Sequence, residues 1–87
     1  MTITTKNQQM KLEIISASEV SYTGDVSSVT LPGVLGSFTV LKDHAPLISV
    51  LSKGNVKFVD SENDTKSIAI AGGIADVNDN VISVCVY

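Results

Sequence analysis

The chain has no arginine and no tryptophan, and only one histidine, one cysteine and two prolines in 87 residues. Without arginine it lacks the guanidinium forks that grip phosphates and read base edges. Six lysines stand against nine carboxylates, for a formal charge of −3, so nucleic acid is not an expected partner. A lone cysteine makes no internal disulfide. Cys85 lies in the apolar run Val81 to Val86, where a thiol is expected to pack as a small buried hydrophobe, and this cysteine usage suits a reducing compartment.

No apolar stretch approaches the ~20 residues that span a bilayer, and Met1 to Gln9 lacks the basic-then-apolar plan of a signal peptide. A basic amphipathic helix and a lipidation pattern are missing as well, so membrane contact is expected only through protein partners. What is present is a folding composition: 44% apolar residues against 17% charged, in a length that holds one domain and one core.

Residues 1–9, mostly Thr, Asn and Gln, read as a flexible N-terminal extension, and the domain is expected over 10–87. From Met10 onward, short period-two runs rich in Val and Ile alternate with Gly, Asn, Asp and Ser clusters. Leu12 and Ile14 share one face, with Val20 to Thr23 as hairpin partner. Val29 and Leu31 stop at Pro32-Gly33; Phe38 and Val40 follow Gly36. Leu47 to Leu51, Val56 with Phe58, and Ile68 with Ile70 come next. Gly72-Gly73 marks a bulge, a bend or a close backbone approach, and Asn78-Asp79-Asn80 a tight turn of residues tolerant of positive φ. Val81 to Val86, apolar on both faces, is expected between two layers. No segment demands a helix, and the spacing predicts an all-β sandwich.

Catalytic chemistry finds no footing. His44 follows Asp43 among many serines, but neighbours on a loop point apart, and a triad needs the acid to orient the imidazole. A locally hydrogen-bonded loop histidine, or one facing a partner, is the expectation. Asp60, Glu62 and Asp64 alternate in a loop without the glycine and terminal glutamate of a calcium loop, and read as a solvated turn. Gly33 and Gly36 lack the Lys-Ser/Thr ending of a phosphate loop. Catalytic, cofactor and metal residues are therefore expected to be none. Val34 and Leu35, two apolar residues at a turn tip, suit either a partner contact or the ordinary exposure of isolated apolar residues.

Met10-Lys11-Leu12-Glu13-Ile14-Ile15-Ser16, Gly24-Asp25-Val26, Leu31-Pro32-Gly33 with Gly36-Ser37-Phe38, His44-Ala45-Pro46-Leu47, Gly54, and Gly72-Gly73 with Val77 together resemble, in order and spacing, the N-terminal domain of ATP synthase epsilon subunits. The resemblance implies a flattened β-sandwich of about ten short, mostly antiparallel strands. It implies a non-catalytic rotor subunit of a proton-translocating F-type ATP synthase, at the foot of the central stalk on the cytoplasmic face of the bacterial inner membrane. Its partners would be gamma and the c-ring, with the membrane reached only through the complex. Carried over by motif, Val34, Leu35, Gly36 and Ser37 with Lys42, Asp43 and His44 would face the c-ring, and Ser16 and Ser49 gamma. Acidic loops would be met only where Lys42 and Lys53 are suitably placed. Most members continue into two helices that bind ATP or block hydrolysis. This chain reaches Tyr87 with no helical sequence, so no inhibitory arm and no ATP binding are expected. The rival is a carbohydrate-binding or adhesion sandwich, for which Phe38, Phe58, Tyr22 and Tyr87 would have to supply the aromatic platform.

Overall fold

The computed structural model describes residues 9–87, so the expectation of a loose segment over residues 1–9 lies, Gln9 apart, outside the described residues. Eight strands follow in order: β1 (Met10–Ile15), β2 (Val20–Gly33), β3 (Gly36–Leu41), β4 (Leu47–Leu51), β5 (Gly54–Asp60), β6 (Thr65–Ile70), β7 (Gly73–Asn78) and β8 (Val81–Val86). Among the described residues there is no helix.

Strand order is β1-β8-β7-β4-β2-β5-β6, with β3 on β2 and a further β1–β2 pairing. The long β2 belongs to both layers. Its first half pairs with β1 from Val20 to Val26, and its second half with β3 and β5. A register shift between Val26 and Ser28 lies between the halves, and such a bulge lets one strand turn the corner of a sandwich. The buried positions of β2 accordingly change parity there, from Val26 to Val29, Leu31 and Gly33. This corrects the expected count of about ten strands: the runs at Val20 and Val29, read as separate, are one strand of 14 residues. Pro32 does not stop the strand either, because it sits in the ladder opposite Ser37.

One layer is thus β4-β7-β8-β1 with the first half of β2, and the other is β3, the second half of β2, β5 and β6. Between them lie Leu12, Ile14, Val77, Ile82 and Val84 from the first layer and Val29, Leu31, Val40, Val56 and Phe58 from the second, all buried. Tyr22 tilts against Phe58 with ring centroids 4.5 Å apart. Parallel pairing of β1 with β8 sets the first and last strands side by side, with the two ends of the described chain at opposite ends of the pair. Gly73 has to be glycine, since a Cβ there would run into the carbonyl of Cys85 on the neighbouring strand. That is the close backbone approach expected of Gly72-Gly73.

Strand β8 is interior to the sheet, but only Ile82, Val84 and the half-buried Val86 are turned to the core. Its outer face is open. The expectation that it lies covered on both faces fails, and with it the expectation for Cys85, whose thiol is exposed. Parity decides this: Cys85 is one residue out of step with Val84.

Candidate functional site

His44 sits on the exposed β3–β4 loop, its Nδ1 2.7 Å from the carbonyl of Ala45. Asp43 does not orient it. That carboxylate accepts from the Asn80 side-chain amide at 3.1 Å and from Lys42 Nζ at 3.2 Å, and both, Asn80 first, hold it below the ordinary carboxylate range. The Asp43 backbone N–H donates to Asn80 Oδ1 at 2.6 Å, and the Asn80 carbonyl accepts from the Lys11 N–H at 2.9 Å. Asn80 therefore ties three segments together, and the cluster is structural. Asp79 and Asn80 have φ of 53° and 63°, the geometry of a two-residue turn whose twist matches its flanking strands.

The loop Asp60 to Asp64 is organised from within. The buried Asp60 carboxylate accepts from the N–H groups of Glu62 at 2.9 Å and Asp64 at 3.0 Å and pairs with Lys66 Nζ at 2.9 Å. Lys66, then these backbone donors, hold Asp60 below the ordinary carboxylate range, while Asp60 raises Lys66. Its acceptor capacity serves the turn.

Surface chemistry carries more. Along the outside of the first layer the ladder sets Ile15 beside Cys85, Cys85 beside Ile74, and Ile74 beside Val50. These cross-strand neighbours form an apolar row; Ile74 and Val50 are 48% and 51% exposed, and Ile48 beside them is 74% exposed. The row runs on into the β2–β3 turn, where the Val34 N–H donates to the Val50 carbonyl at 3.0 Å and Leu35 is wholly exposed. Two apolar residues fit at this tip because neither takes positive φ; the reversal falls on Gly36, at φ 131°. Fully covering Leu35 and Ile48 would contribute about 3–6 kcal/mol gross, less than the upper part of the roughly 4–15 kcal/mol that association costs. A stable contact thus needs the row and the tip together. The aromatics build no comparable platform: Phe58 is buried, Tyr22 and Phe38 pack against the core, and Tyr87 alone among the four is exposed.

The residues singled out from sequence separate in space. Val34 to Ser37 and Ser49 line one groove between β3 and β4, joined by Phe38, Leu47 and Ile48. Ser16 follows Ile15 and Ser49 precedes Val50, so the two serines adjoin opposite ends of the apolar row, three strand spacings or about 14 Å apart. Lys42 to His44 lie at the other end of β3 from the Val34 tip, about 17 Å away along a strand of six residues, beside the β7–β8 turn. Sequence reasoning missed Ile15, Ile48, Val50, Ile74 and Cys85. Their signal was outward parity in four strands that only the register places together.

With the geometry established, known proteins place the chain. Residues 9–87 match the family described as ATP synthase, Delta/Epsilon chain, beta-sandwich domain. The ATP synthase epsilon chain of Bordetella petrii is 36% identical over 75 residues, covering 86% of this chain and 53% of that protein. That of Chlorobium limicola is 35% identical over 74 residues, covering 85% and 84%. The chain thus spans about half the length of the Bordetella relative but most of the Chlorobium one. Among solved structures, a chain of the Euglena gracilis mitochondrial ATP synthase, OSCP/F1/c-ring in rotational state 1, superimposes with a TM-score of 0.85 at 23% identity, covering 91% of this chain and 51% of that one. Sequence and fold agree, and the chain belongs to the β-sandwich domain family of ATP synthase epsilon subunits.

Proposed function

We propose that the domain is a non-catalytic rotor part of a proton-translocating F-type ATP synthase, bridging gamma and the c-ring so that the three turn together. The observation that carries this reading is the continuous apolar row from Ile15 to Val50, ending on the Val34-Leu35 tip, on a chain whose relatives are epsilon chains. Gamma covers the row, with Ser16 at one margin and the backbone of Ser49 at the other, the Ser49 side chain alternating with Val50 to the opposite face of β4. The c-ring loops meet the tip Val34 to Ser37. The loop Lys42 to His44 reaches the same ring only if the contact extends along the length of β3. Localisation follows the complex, on the cytoplasmic face of a bacterial inner membrane.

Titration of the full chain against purified gamma, alone and with its c-ring, tests this. Saturable one-to-one binding, tightened by the ring, is expected. A folded chain that binds neither would overturn the reading. Added to an ATP synthase lacking its epsilon subunit, the chain is expected to restore coupling.

A further inference from the structure

The outer face of the β3-β2-β5-β6 layer presents no carboxylate among the described residues, although the chain is acidic overall. At its Val34 end lies an open groove of about 460 Å³, lined by Lys53 and Lys57 with Thr30, Ser37, Ser52 and Asn55. Lys53, Asn55 and Lys57 alternate along β5 and its approach, and so share one face. Gly54 and Pro32, both in its lining, approach closely: a Cβ on Gly54 would stand 2.9 Å from the Pro32 ring. The ion pairs among the described residues are Lys42 with Asp43 and Lys66 with Asp60, so Lys53 and Lys57 face this groove unneutralised.

Two ammonium groups, hydroxyls and an amide around one concavity make a donor-rich site for a carboxylate. An anionic bilayer is the poorer match. Such surfaces are bound by clusters of about four to eight cations on a convex face, whereas this chain offers two in a recess and carries a net negative charge that the leaflet would repel. We infer that the Lys53–Lys57 groove receives a carboxylate-bearing loop of the protein that meets the Val34 to Ser37 tip. This rests on the proposal that the tip faces a partner, and it specifies that partner's charge.

The test titrates the full chain into its own ATP synthase depleted of the subunit, at low and high salt, for the parent, Lys53→Gln/Lys57→Gln, Lys53→Glu/Lys57→Glu and Leu35→Asp. All three positions are exposed, so thermal melts are expected to match. Neutralisation is expected to weaken binding about tenfold at low salt and reversal about a hundredfold, both gaps closing at high salt, with Leu35→Asp weak at every salt. If Leu35→Asp binds poorly while both lysine pairs bind like the parent, the inference is overturned and the reading of the tip stands. If Leu35→Asp binds like the parent, that reading fails and the inference with it. A parent chain that sediments with vesicles of equal parts phosphatidylcholine and phosphatidylglycerol, lost in the lysine variants, would replace the acidic loop with a membrane and overturn the proposal.

Discussion

Across the first layer the outward row nearest the β2–β3 turn reads Ile15, Cys85, Ile74, Val50; across the second a row reads Thr39, Thr30, Lys57, Ser67. Both rows run over four strands, and both back onto the same core. Hydroxyls and an ammonium are readily hydrated, and Thr30 and Thr39 also bond each other at 2.9 Å. Four neighbouring apolar side chains are not, and their transfer out of water is favourable whenever a partner arrives. The second row thus needs no cover to stay hydrated, whereas the first gains from being covered.

The strongest way to break this contrast acts on the backbone beneath the apolar row. Gly73→Ala would drive a methyl into the Cys85 carbonyl, and separating β7 from β8 is expected to cost about 3 kcal/mol, typical of severe overpacking. Gly54→Ala, which meets the Pro32 ring, is expected to cost about 1 kcal/mol, because the added bulk is partly offset by reduced chain entropy. Urea denaturation measures both, and equal losses would erase the distinction.

Charge on the two outer faces sharpens the contrast directly. Ile74→Asp with Val50→Asp is expected to lower affinity for the depleted synthase about a hundredfold, since two central apolar contacts become buried carboxylates. Thr65→Asp, at the end of β6 away from the Lys53–Lys57 groove, is expected to change it less than about twofold by the same titration. Comparable losses would mean that both faces are covered.

A third effect is confined to the polar layer. Asp60 has a lowered pKa, so its stabilising contribution is present above the unfolded carboxylate pKa of about 4 and is lost as pH falls through the folded value. Asp43, also lowered, contributes to the same limb. Asp60→Asn is therefore expected to flatten part, not all, of the acid fall in melting temperature. Lys66, raised by Asp60, contributes below its unfolded pKa and loses that contribution as pH rises through its folded one. An unchanged acid limb in Asp60→Asn would remove the carboxylate from the account.

The smallest expected effect is at Cys85. Cys85→Ser should alter stability by less than about 0.5 kcal/mol, as at other exposed sites. Maleimide is expected to label the free chain readily and the assembled complex slowly. Equal rates would leave the row uncovered in the assembly.

Much of the fold was legible because its signals are local. Alternation at Leu12 and Ile14, the Asp79-Asn80 turn and the Gly73 approach each lie within a few residues of sequence. The length of β2 was not, because the register shift after Val26 reverses parity and makes one strand look like two. Cys85 misled for a related reason: an apolar residue in an apolar run says nothing about whether its face is covered. The tip at Val34 and Leu35 could be read as a turn, but the row could not, since Ile15 and Cys85 are neighbours only through the parallel pairing of the first and last strands. The division of Val34 to Ser37 from Lys42 to His44 follows simply from the four residues of β3, Phe38 to Leu41, between them.

The passage of β2 through both layers has a mechanical consequence. The component along β2 of a load at the Val34 tip enters a strand that is bonded along its length to β1, β3 and β5. Pulled along its axis, such a strand strains many ladder bonds at once, whereas a hairpin peeled from an edge would give them up one after another. Torque delivered at that end would therefore be resisted in shear and spread over the whole sandwich, so the domain would transmit it as a stiff block with little lag.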